Sequence, residues 1–157
     1  PIQSLDRLSR GGDPPRTHST PRSMAAGPKL DGAGIQKMKT LEDATTMLHR
    51  IHGLVETYAI AVKKSHPTGF TLQQIRRALP PLIGLLKGQF GMIADQVATL
   101  NLVASRGSNE QTRLRILREG VGSARISIDI AMVRVKENHA VKESDAEQGG
   151  AAEREPV

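Results

Sequence analysis

The chain has 157 residues, 38% of them hydrophobic, which suits a single domain around one core. With no tryptophan, one tyrosine and two phenylalanines, that core must be aliphatic, which favours packed helices over a β-sandwich. The absence of cysteine excludes disulfides, thiolate catalysis and thiolate zinc sites, and it fits an intracellular setting, cytoplasmic or nuclear.

The formal net charge of +6 is shared unevenly. Residues 1–39 carry seven Lys/Arg against three Asp/Glu, residues 40–139 thirteen against eight, and residues 140–157 two against five. Residues 1–39 mix Pro, Gly, Ser, Thr and Arg without a sustained hydrophobic period, as in "RGGDPPRTHSTPRS". Such a stretch buries too little surface to offset the entropy of ordering, so a disordered basic arm is expected. Within it Met24, followed by two alanines, fits a natural start that would make residues 1–23 an upstream extension, and Thr20-Pro21 has the form of a proline-directed phosphorylation site.

Between residues 40 and 64, Thr40 with Asp43 resembles a capping box, and Ala44, Leu48, Ile51, Val55, Tyr58 and Val62 recur at alternating spacings of three and four. This predicts a first helix, ended by "KKSHPTG", where lysines suit the carbonyl end and Pro67 and Gly69 break the backbone. A second capping box, Thr71 with Gln74, opens a row of Leu72, Ile75 and Leu79 that meets Pro80-Pro81, where a kink is expected. Beyond it Ile83, Leu86, Phe90, Ile93, Val97, Leu100 and Ala104 continue to a cap at Gly107. Gly84, Gly88 and Gly91 line one stripe beside that row, which predicts close approach of a neighbouring backbone.

The segment "SARISIDIAMVRV" alternates like a strand. A longer pattern competes with it, however: Leu114, Leu117, Val121, Ala124, Ile128, Ala131 and Val135 hold heptad register from a third capping box at Ser108 and Gln111. The longer period predicts a third helix. The fold expected is therefore all-α, a three-helix bundle over residues 40–139 with coiled-coil-like seams, able to oligomerise, its second helix kinked at Pro80-Pro81. It is flanked by the arm 1–39 and by a disordered acidic tail, 140–157.

Large apolar residues remain off these rows: Leu54, Ile60, Leu82, Leu85, Met92, Leu102, Val103, Ile116, Ile126, Ile130, Met132 and Val133. Burying each is worth about 1.5–3 kcal/mol, so the surplus calls for further packing or for a partner. The expected work is non-enzymatic assembly, with Ile126, Ile130 and Val133 docking a partner helix from its own copy or from another subunit.

Arg115, Arg118, Arg125 and Lys136 share a flank of the third helix, with Arg113 nearby, and are the candidates to hold phosphates or an acidic partner surface. Nucleic acid is thus the alternative partner. No apolar run approaches the roughly 20 residues of a membrane span, so no membrane partner is expected. His49, His52 and Glu56 share a helix face in a metal-ligand spacing, but a fourth ligand is not identifiable and neither metal nor cofactor is expected. No Gly-x-Ser-x-Gly turn or phosphate-binding loop is present, and "LIGLLKGQFG" lacks the Gly-Lys-Ser/Thr ending of the latter.

The stretch "GSNEQTRLRILREGVGSARISIDIA" is similar to the C-terminal helical region of the deleted-in-oral-cancer, cyclin-dependent-kinase-associated subunits of nucleosome-remodelling deacetylase complexes. The similarity rests on Gly107-Ser108 and on Gly120 with Ala124-Arg125, covers about a sixth of the chain and requires a gap. It implies a dimeric accessory of a chromatin complex.

Overall fold

Asp31 opens the first helix by turning its carboxylate back onto the Gly34 N–H, which donates to Oδ1 at 2.7 Å. This gives α1 (Gly32–Lys63), followed by α2 (Gly69–Lys87), α3 (Gly91–Ser105) and α4 (Glu110–Asn138). The computed structural model describes residues 29–141, and all four helices are joined by short turns. The arm before residue 29, including Thr20-Pro21, and the tail after residue 141 lie outside the described residues.

Each helix packs against two neighbours, α1 on α2, α2 on α3, α3 on α4 and α4 on α1, while the diagonal pairs stay apart. Chain direction alternates around this ring: Leu30 at the head of α1 bridges Ala140 at the foot of α4, and Tyr58 near the end of α1 meets Arg113 near the start of α4. At 1.5 Å per residue α1 and α4 run roughly 48 and 43 Å, against roughly 28 and 22 Å for α2 and α3. The longer pair therefore projects past the α2–α3 turn.

The aliphatic rows form the core. Leu48, Ile51, Val55 and Tyr58 of α1 meet Leu117, Val121, Ala124 and Ile128 of α4, with Leu72, Ile75, Leu79, Leu82 and Leu86 of α2 and Ile93, Val97 and Leu100 of α3 completing it. The stretch 123–135 is helical throughout, so its alternation does not produce a strand.

Four helices replace the expected three, because the second helix is broken elsewhere than expected. Pro80 and Pro81 lie inside α2, both on its exposed side. The buried row 72, 75, 79, 82, 86 runs past them without a change of spacing, and Leu79 and Leu82 on either side are fully buried. Five large side chains at about 1.5–3 kcal/mol each outweigh the cost of the two mid-helix prolines, roughly 3 kcal/mol apiece. The turn falls instead at Gly88–Phe90, where Phe90 has φ −133° and ψ 57°.

The helix starts also move. Thr40 lies within α1, its hydroxyl donating to the Gln36 carbonyl at 3.1 Å, and the helix begins at Gly32, inside the segment assigned to the arm. Asn109, not Ser108, caps α4, accepting from the Gln111 N–H at 2.8 Å. Thr71 is buried within α2, which starts at Gly69. Gly84, Gly88 and Gly91 make no close approach, since a Cβ on any of them would meet open space. The close approach is at Gly120, where a Cβ would collide with Leu100 of α3. Glycine lets α3 and α4 pack this tightly there without displacing the Leu100 side chain.

Candidate functional site: the faces of α4

α4 presents two contrasting faces. Leu114, Leu117, Val121, Ala124, Ile128 and Val135 are buried, with Ala131 half-buried beside them. On the opposite side stand Ile126, Ile130 and Val133, exposed at 61%, 49% and 53%. Their spacing of four and three places them in one row, since a helix repeats every 3.6 residues. Met92 at the head of α3 is 85% exposed and shares with Ile130 a groove of about 420 Å³, also lined by Phe90, Ile93 and Arg134.

Of the other off-row residues, Leu82 is fully buried, whereas Ile60 and Leu102 join Met92 at the surface and the remainder are half-buried. The fourth helix thus absorbs part of the apolar surplus, and the stripe on α4 is among what it leaves.

The basic flank is less uniform than its spacing implied. Arg115, Arg118, Arg125 and Lys136 are all exposed. Arg118 forms a two-pronged pair with Glu56 of α1, Nε donating to Oε1 at 3.0 Å and Nη2 to Oε2 at 2.8 Å. These hydrogen bonds hold the Glu56 carboxyl below its usual pKa and raise that of Arg118. Arg113 is buried: Nη1 donates to the Tyr58 hydroxyl at 3.3 Å and Nη2 to the Arg106 carbonyl at 2.7 Å. Its cation completes the carbonyl end of α3 together with Arg76 of α2, whose Nε donates to the Ala104 carbonyl at 2.6 Å. α3 has no basic residue in its own last turn, so two neighbours supply the charge.

Arg125 lies across from His49 and His52 in a groove of about 580 Å³ between α1 and α4, closed at one end by the Glu56–Arg118 pair and floored by Leu48, Val121 and Ile128. The helical spacing brings His49, His52 and Glu56 to one groove, but both Glu56 oxygens are engaged by Arg118. Among the described residues no group of three or more His, Cys, Asp or Glu is placed to hold a metal ion.

At the far end of the α1–α4 pair is a clasp that the sequence did not announce. Asp31 accepts from His139 Nδ1 at 3.0 Å, Lys37 Nζ lies 3.1 Å from His139 Nε2, and backbone bonds run from Asp31 N–H to His139 C=O and from Val141 N–H to Lys29 C=O. The Gly34 N–H, followed by His139, lowers the Asp31 pKa. Gly34 makes room for this clasp, since a Cβ there would strike the Cβ of His139.

Among the described residues no helix is long and apolar enough to cross a membrane. Comparison with known proteins found no matching family model, no matching curated protein and no matching solved structure.

Proposed function

We propose that this chain is a non-enzymatic helical assembly subunit that docks a partner helix along the outer face of α4. The observation that carries the reading is the row Ile126, Ile130 and Val133, exposed on a helix whose opposite face is wholly committed to the core. Single apolar residues scattered on a surface are ordinary, but a row at helical spacing beside an apolar groove is the form in which one helix receives another. Met92 and Phe90 extend the row sideways onto α3.

Size-exclusion chromatography of a native extract tests this reading. The wild-type chain should elute well above the 16.9 kDa of one copy, and a variant with Ile126, Ile130 and Val133 all changed to glutamate should elute as one copy with an unchanged melting temperature. A wild-type chain that elutes alone both from the extract and as concentrated purified protein sinks the proposal.

The alternative is a chromatin or nucleic-acid accessory acting through Arg115, Arg118, Arg125 and Lys136. It has weaker support, because Arg118 is already held by Glu56 and Arg113 is committed to the core. It predicts binding to duplex DNA that falls steeply with salt and weakens when Arg115 and Arg125 are changed to glutamate.

A further inference from the structure

The outer face of α4 has a property that neither its exposure nor its apolar character requires. From end to end its outermost residues are Arg115, Glu119, Gly122, Ile126, Ile130, Val133 and Glu137, at spacings of four, three, four, four, three and four. The series reads the same from both ends, with Ile126 at its centre. A two-fold axis through Ile126, perpendicular to the helix, therefore lays the stripe on itself: Ile126 meets its own copy, Ile130 meets Gly122, Val133 meets Glu119, and Arg115 meets Glu137.

The chemistry matches at the centre, over Gly122 and at the two ends, the exception being Val133 opposite Glu119. A Cβ on Gly122 would meet nothing within 4 Å, so the helix surface is open there and bare of a side chain, which leaves room for Ile130 of a facing helix. At the two ends a guanidinium opposes a carboxylate, Arg115 against Glu137, and Arg134 stands next to Val133 within reach of Glu119. None of Arg115, Glu119, Arg134 and Glu137 has an ion pair or side-chain hydrogen bond among the described residues. A parallel pairing would instead set Arg115 on Arg115, Glu119 on Glu119 and Glu137 on Glu137, so the charges select the antiparallel arrangement. The stripe is roughly 33 Å long, enough for a helix-on-helix seam.

We infer that α4 docks on α4 of a second copy of this chain, antiparallel, with Ile126 on the two-fold axis and Ile130 seated over Gly122. The inference rests on the docking reading above and names its occupant. The resulting interface is a single helix pair, at the small end of specific interfaces, so association in the micromolar range is expected.

Sedimentation equilibrium of the purified full chain tests the inference. Between roughly 10 and 300 μM the mass should rise from 16.9 kDa towards twice that value. Gly122→Leu should abolish the rise by filling that room, while its melting temperature stays level or increases, because leucine is the better helix former. Glu137→Arg should weaken association about tenfold or more, and Arg115→Glu combined with Glu137→Arg should restore it to within about threefold of wild type. A chain that stays at 16.9 kDa throughout, a dimer that survives Gly122→Leu, or a double exchange that fails to rescue each overturns the inference. A pure monomer that still elutes in a larger species from an extract overturns only the second copy, whereas a monomer in both overturns the docking reading as well.

Discussion

The α1–α4 side of the bundle and the α2–α3 side are held together differently. α1 and α4 are long and joined at intervals by polar contacts between specific partners: Arg113 with Tyr58, Arg118 with Glu56, and His139 with Asp31. α2 and α3 are short, α2 carries two prolines, and the one side-chain hydrogen bond between them is from Arg76 to the Ala104 carbonyl. The first pair has its register specified by directional contacts as well as packing. The second relies on shape, with Leu72, Ile75, Leu79, Leu82 and Leu86 filling the space against α3 and α1. A helix interrupted by prolines can persist on these terms because its hydrogen bonds are not what hold it in place.

The largest test of that contrast is Leu82→Ala. The side chain is fully buried beside Pro81, and its loss should cost about 2–5 kcal/mol in a denaturant titration. A cost below about 1 kcal/mol would mean that packing does not sustain the proline-bearing helix. Arg113→Ala on the other side should cost about 2–3 kcal/mol, since it leaves the Arg106 carbonyl and the buried Tyr58 hydroxyl without their donor. Hydrogen exchange separates the two variants: Arg113→Ala should loosen the end of α3 and the start of α4 first, whereas Leu82→Ala should lower protection throughout α2.

The exposed contacts of the α1–α4 side give a smaller effect, and one that depends on pH. Arg118 and Glu56 are roughly half-exposed, so Glu56→Gln should cost no more than about 1 kcal/mol, and less in high salt. The carboxyls of Glu56 and Asp31 both titrate below their ordinary range in the folded chain. Their stabilisation is therefore fully present above the unfolded carboxylate pKa and is lost as pH falls through the lowered folded value. Melting temperature should decline on acidification below about pH 5, and the decline should be shallower in Glu56→Gln and Asp31→Asn. Identical acid profiles for these variants and wild type would remove both contacts from the account.

Much of this architecture is legible in the sequence, and what is not has identifiable causes. The rows in α1 and α4 announce themselves through large aliphatic residues at unbroken spacing, and the stripe of Ile126, Ile130 and Val133 follows once that spacing is fixed. The start of α1 is hidden, because Gly32 and Gly34 look like loop, although Asp31 caps the Gly34 N–H locally and meets a histidine 108 residues away. At Pro80-Pro81 the local propensity is real but loses to burial, a balance that the pair alone does not reveal. Arg113 stands one turn before Leu117, on the buried side of the helix, but its charge suggests a surface flank; only the unfilled carbonyls at the end of α3 explain its burial. The palindromic stripe needs no coordinates to be read, yet it becomes meaningful only once the opposite face of α4 is known to be full.

The smallest expected effect has the opposite sign and lies at the α1–α2 turn, where the two sides of the bundle join. Ser65 has φ 54°, the left-handed region that L side chains adopt at a cost of about 1–2 kcal/mol. Around it the His66 N–H bonds to the Ala61 carbonyl at 2.9 Å and the Ser65 N–H to the Val62 carbonyl at 3.2 Å, the two bonds of a Schellman ending, with Pro67 following to block further helix. The position wants glycine and holds serine. Ser65→Gly should relieve that strain while adding about 0.5–1 kcal/mol of unfolded-chain entropy, for a net gain near 0.5 kcal/mol. The rise in midpoint should appear without a change in denaturant slope, because the folded surface is the same. A loss of stability would mean that the turn is held by the serine side chain itself, and that the junction of the two sides is specified by polar contact and not by backbone geometry.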